Sequence, residues 1–166
     1  MKKTLALATA LLSSSTLANS FDHYLSLGYT QVDASYASES EKMDGVGFTY
    51  SRFERRQQIG VILLADYASS SSSALDASYY DVMGGIVYRP EKLNWLRVYP
   101  IVGASVFKGN VTSTAPDSDS EMYLSYGVGL QASIPNTKVF FDASYKNIDA
   151  DFGDASAFNI GIGLRF

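Results

Sequence analysis

The C-terminal stretch S-A-F-N-I-G-I-G-L-R-F, Ser156 to Phe166, is the reading on which the fold turns. Phe158, Ile160, Ile162, Leu164 and Phe166 fall on one parity, and Ala157, Asn159, Gly161, Gly163 and Arg165 on the other. A period of two over this length is a strand, because alternate side chains of an extended chain point to opposite faces. One face is wholly apolar, while the other is small or polar and carries an arginine. In a soluble sandwich the apolar row would face inward; in a membrane strand it would face lipid.

The rest of the chain favours lipid. Strands with the same alternation are predicted at about 23–32, 43–53, 57–67, 78–88, 94–107, 121–134 and 138–147. In the third, Ile59, Val61, Leu63, Ala65 and Tyr67 oppose Gln58, Gly60, Ile62, Leu64 and Asp66. Eight strands of about ten residues each are long enough to cross a hydrocarbon layer when tilted. An even number lets the first and last strands pair antiparallel and close the sheet. Pro100 cannot donate to a ladder, so a bulge or local break is expected there. The expected fold is all-β, an eight-stranded antiparallel transmembrane barrel.

The ends of the predicted strands differ in charge. Three short turns carry Arg52, Arg55, Arg56, Arg89, Lys92 and Lys138 against Glu54 and Glu91. Four longer links, 33–42, about 69–77, 108–120 and 147–155, are rich in Asp and Glu, with only Lys42 and Lys108 opposing them. The serine run 69–73 within them cannot bury apolar area and reads as a mobile loop. Barrels of this class place short turns in the periplasm and long loops outside. Tyr29, Tyr67, Tyr80 and Tyr145 near one end of the apolar rows, with Tyr88 and Phe166 at the other, read as interfacial girdles.

The N-terminus has a basic start, Lys2-Lys3, an apolar run from Thr4 to Leu12 and small residues before Ser20. It reads as a secretory signal cut after Ala18 or Ser20, leaving 21–166 as one domain. The absence of cysteine fits an exported barrel without deciding for it. The net charge of −4, more negative once Lys2 and Lys3 leave, argues against nucleic-acid binding.

Several stretches resemble a known family: L-G-Y-T-Q, M-D-G-V-G-F-T-Y-S-R-F-E, Y-Y-D-V-M-G-G-I-V-Y-R-P, S-Y-G-V-G-L-Q, F-D-A-S-Y-K and G-I-G-L-R-F occur in the order and spacing of the OmpX/Ail family of small outer-membrane proteins. The resemblance covers the whole exported chain. It implies an OmpX-like barrel in the outer membrane of a Gram-negative bacterium, with lipid and lipopolysaccharide as its surroundings. The row Phe158, Ile160, Ile162, Leu164 and Phe166 looks like the terminal strand recognised by the barrel-assembly machinery during insertion. Some family members promote adhesion, invasion or complement resistance, which implies a host or other extracellular protein as partner for the loops. The chain departs from the family in its serine run and lacks a basic exposed cluster.

For function, the leading reading is a non-enzymatic, monomeric surface protein whose exposed loops do its work. A small channel and a lipid A-modifying enzyme are the alternatives. An eight-stranded barrel is just wide enough for its own side chains, so Asp66, Asp81, Arg97, Asp142, Lys146 and Arg165 are expected to form a packed lumen network. Gly127, Gly129, Gly161 and Gly163 make room across that lumen and are not a nucleotide loop, since no helix follows them. His23, the only histidine, sits at the start of its strand beside Asp22 and Ser26 and reads as interfacial rather than catalytic. Asp117, Asp119 and Glu121 have spacing suited to a cation, but no glycine-bearing ligand loop surrounds them. No cofactor or metal is expected.

Overall fold

The computed structural model describes residues 21–36, 39–71, 75–111, 120–151 and 153–166. The expected leader, residues 1–20, lies outside them, as do Asp117 and Asp119. Eight strands follow one another: β1 (Phe21–Tyr36), β2 (Glu39–Glu54), β3 (Ile59–Ser71), β4 (Leu75–Tyr88), β5 (Leu96–Val111), β6 (Ser120–Ser133), β7 (Val139–Ala150) and β8 (Gly153–Arg165). Each pairs antiparallel with its sequence neighbours, and β1 pairs with β8 from Tyr24↔Arg165 to Ala34↔Ala155 to close the barrel. Beyond that ladder His23 and Phe166 exchange both backbone hydrogen bonds, at 3.1 and 3.0 Å. Closure is what a bilayer demands, since an unpaired amide in hydrocarbon has no water to bond.

The outward face shows where the hydrocarbon lies. On β3 the outward row runs Ile59, Val61, Leu63, Ala65, Tyr67 and then changes to Ser69; on β8 it runs Leu164, Ile162, Ile160, Phe158 and then Ser156. On β1, Leu27 and Tyr29 are followed by Gln31 and Asp33, and on β7, Phe141 and Tyr145 by Asn147 and Asp149. The apolar rows lie beside the short turns, and every turn-to-strand boundary is within a residue or two of them. About nine residues per strand thus lie at hydrocarbon depth, alternate ones facing lipid, the length a tilted strand needs.

The strands do not stop where the lipid row stops. The ladder continues through Asp33↔Lys42 to Tyr36↔Glu39, through Ser69↔Ser78 to Ser71↔Asp76, and through Asp149↔Asp154 to Ala150↔Gly153. Of the stretches expected as links, 33–36, 39–42, 69–71, 147–150 and 153–155 are therefore hairpin strand, while Ser72 and Ser73 of the serine run lie outside the described residues. Ser69, Ser70 and Ser71 are strand residues rather than a mobile loop, because their backbone groups bond to Ser78, Ala77 and Asp76 whatever their side chains bury.

At Pro100 the expected local break is present, on one side only, and the bulge is not. The β5–β6 ladder passes through Pro100↔Val128 unbroken, and β4–β5 skips only Ile86 and Val87 before resuming in the same register at Tyr88↔Val98. The missing donor falls on the β4 side, and the exposed ring faces outward. No residue is inserted, so there is no bulge.

At the other end, Ile134-Pro135-Asn136-Thr137 closes with Thr137 N donating to Ile134 O at 3.2 Å. Proline second and a left-handed residue third, Asn136 at φ 63°, are the marks of a type II turn.

Candidate functional site

Inward side chains fill the barrel in three levels. At the turn end Tyr24, Phe53, Phe140, Tyr99, Ile62, Leu64 and Met83 form an apolar cluster, with Tyr24 edge-on to both Phe53 and Phe140. At the far end Val32, Met43, Ala68, Tyr79, Tyr123 and Ile148 form a second. A polar layer lies between them. Glycines make the large rings fit: a Cβ on Gly129 would stand 2.2 Å from the Tyr99 ring, and one on Gly163 2.4 Å from Phe140.

The polar layer is built around Lys146, whose side chain is fully buried and ion-paired to both Asp66 and Asp81, the latter at 2.5 Å. Asp66 and Asp81 are direct cross-strand partners on β3 and β4, so a single ammonium from β7 compensates two adjacent carboxylates across the lumen. Asn159 Nδ2 and Thr30 Oγ1 donate to Asp66 at 3.3 Å each, and Ser105 Oγ donates to Asp81 at 3.4 Å. Below this, Asp142 accepts from Ser26 at 2.8 Å and from Tyr99 at 2.7 Å.

Arg97 behaves differently from an ion-pair partner. Its guanidinium lies 3.9 Å from the Tyr24 ring centroid and donates to Gln131 Oε1 at 3.1 Å, with no carboxylate in salt-bridge range among the described residues. Arg165 departs further. Its parity is inward, but it is the last strand residue, so it lies exposed at the turn-end mouth and not in the lumen network. Alternation tells which face a residue takes and nothing of how far along the barrel that face stays covered.

His23, Ser26 and Asp22 each engage a different partner. His23 Nδ1 meets Tyr50 OH at 2.8 Å and its ring stacks on Phe166 at 5.7 Å. Ser26 is engaged by Asp142, and Asp22 by Arg89 at 3.3 Å. His23 thus anchors the seam where first and last strands meet. Among the described residues no cluster of His, Asp and Glu is arranged to hold a metal ion.

A feature that sequence reading missed lies above the lipid. β2 and β3 part company after Asp44↔Ser69, although β2 continues to Glu39 and β3 to Ser71. The β6–β7 ladder likewise ends at Leu124↔Asp149, although β6 continues to Ser120. By contrast β4 and β5 stay paired as far as Leu75↔Val111. Among the described residues the ladders above the lipid therefore fall into two ribbons, β7-β8-β1-β2 and β3-β4-β5-β6. The polar residues of this region hid the signal, because alternation of apolar and polar is enforced only where one face meets lipid.

A closed eight-stranded barrel with an apolar belt and a filled lumen defines a small integral protein of the outer membrane. The chain belongs to the outer membrane protein beta-barrel domain family, which it matches over residues 4–166, and within it to the OmpX/Ail group. It is 33% identical over 93 residues to the attachment invasion locus protein of Yersinia pseudotuberculosis, a match that spans 55% of this chain and 50% of that protein. The crystal structure of Ail, the attachment invasion locus protein of Yersinia pestis, superposes with a TM-score of 0.76 at 26% identity, covering 89% of this chain and 99% of that one. The same protein has also been seen in complex with the heparin analogue sucrose octasulfate, with a TM-score of 0.74. Neisserial surface protein A, at 14% identity and a TM-score of 0.62, shares the fold.

Proposed function

We propose that this protein is a non-enzymatic surface attachment protein whose working part is the pair of ribbons standing above the outer leaflet. The observation that carries the reading is that the paired strands continue past the lipid-facing rows, to Tyr36↔Glu39, Ser71↔Asp76, Lys108↔Ser120 and Ala150↔Gly153, and so raise polar hairpins beyond the membrane. Kinship to Ail, an attachment invasion locus protein, supports attachment as the role.

The ligand class differs from a sulfated glycan. Asp33, Asp44, Glu121, Asp149, Asp151 and Asp154 lie at this end, with Lys42 and Lys108 as the described cations. Lys42 is within 3.6 Å of Asp33. A surface of that sign repels polysulfate, so an extracellular protein fits better than a heparin-like chain. A channel is disfavoured by the apolar clusters at both ends of the polar layer, and lipid hydrolysis by the separate partners that His23, Ser26 and Asp22 engage.

Display on an adhesion-negative host tests the reading. Cell binding and serum survival are compared between the intact protein and one with its four exposed hairpins shortened to tight turns at the lipid boundary. Loss of the phenotype only in the shortened barrel supports attachment. Equal phenotypes in two correctly inserted proteins would sink it.

A further inference from the structure

The turn-end mouth holds a groove of about 680 Å³ between the β4–β5 and β6–β7 connections, lined by Arg89, Trp95, Ser133, Ile134, Lys138 and Arg165 among others. Three of its lining residues are cations and none is acidic. Arg89 is spent on Asp22 and on Gln57 O, at 3.3 and 2.9 Å. Lys138 and Arg165 are exposed, and neither makes a salt bridge or side-chain hydrogen bond among the described residues. They are held side by side, since Arg165 N donates to Lys138 O at 2.7 Å.

The groove is amphiphilic in a directional way. Its floor offers cations and small polar groups, while its outer lip is Ile134, the end of the exposed lipid-facing row that continues through Leu130 and Val128. Exposed Trp95 also lines the groove, its carbonyl accepting from Ser133 N at 2.7 Å. Tryptophan and aliphatic side chains at the end of an apolar belt mark headgroup depth. A ligand that places an anion on the floor and chains along Leu130 and Val128 satisfies both halves. A soluble anion satisfies only the first.

We propose that this groove binds the phosphodiester headgroup of an anionic phospholipid of the periplasmic leaflet, with Lys138 and Arg165 as its ligands. Basic pockets at a membrane surface hold such headgroups by charge and hydrogen bonding together.

Native mass spectrometry of the detergent-solubilised full barrel gives the test, using phosphatidylglycerol and phosphatidylcholine of identical chains as probes. The intact protein should carry about tenfold more phosphatidylglycerol than phosphatidylcholine at equal concentration, from about fivefold per cation reduced by competition with detergent. Lys138→Gln/Arg165→Gln should bring that ratio to near one, while Arg56→Gln/Lys92→Gln, an equal charge loss outside the groove, should leave it. Because Arg165 ends the closing strand, Lys138→Gln alone is carried in parallel and should lower the ratio severalfold in a barrel that retains its heat-dependent gel shift. An unchanged ratio in both groove variants overturns the proposal. So does an equal fall in the Arg56/Lys92 variant, which would mean diffuse attraction. Displacement of the lipid by millimolar glycerol 3-phosphate would also overturn it, since the site would then belong to a free anion.

Discussion

Replacing Lys146 by methionine should destabilise the barrel by about 3–5 kcal/mol, the usual penalty for removing one partner of a buried ion pair. The structure places this residue at the high end. Its side chain is fully buried, and it compensates two carboxylates, Asp66 and Asp81, whose side chains are 1% and 0% exposed. Methionine fills nearly the same volume, so the loss reports charge and not a cavity. The neutral donors Asn159, Thr30 and Ser105 stay behind but bring no charge to offset the pair. Urea unfolding from lipid vesicles, followed through Trp95, the only tryptophan, would read the change. At a slope of about 1–3 kcal/mol per molar urea the midpoint should fall by at least about 1 M. The triple variant Lys146→Met/Asp66→Asn/Asp81→Asn removes the stranded charge as well and should recover most of the loss. A single variant within about 1 kcal/mol of the parent, or a triple variant no better than the single, would refute the reasoning.

Ile162 faces lipid in mid-strand between Leu27 and Phe141, so Ile162→Arg should cost about 2–4 kcal/mol, read as folding yield in vesicles; unchanged yield would contradict the face assignment. Gly129→Ala puts a methyl within 2.2 Å of the Tyr99 ring and should cost about 1–3 kcal/mol while breaking the 2.7 Å bond to Asp142; an unshifted urea midpoint would show that the ring has room to move. Phe166→Ser removes the terminal aromatic and its stack on His23, and we expect slower assembly in cells, measured by pulse-chase and heat-dependent gel shift. An unaltered assembly rate would leave the terminal row without the insertion role assigned to it.

The sequence by itself determined what lipid enforces. Wherever one face of a strand meets hydrocarbon, apolar and polar residues must alternate, and that constraint wrote eight strands, their faces and their closure into the chain. Phe158 to Phe166 and Ile59 to Tyr67 could be assigned residue by residue for this reason. The same logic put Asp66, Asp81, Asp142 and Lys146 inside. It stopped at the edge of the bilayer. Above it the outer face meets water and the inner face carries many small residues such as Ala34, Ala77 and Ala150, so Asp33, Lys42 and Ser69 to Ser71 read as links although their backbones are in ladders.

Only the tertiary structure decided depth and partnership. It showed Lys146 reaching two carboxylates on other strands and Arg97 lying on Tyr24. It also placed Arg165 at the mouth, where the wall ends. Those outcomes depend on the stagger between strands, which shifts neighbours along the barrel axis by amounts that no single strand's pattern contains. The division into two ribbons has the same origin, since it is a property of which ladders continue past the membrane and not of any one strand.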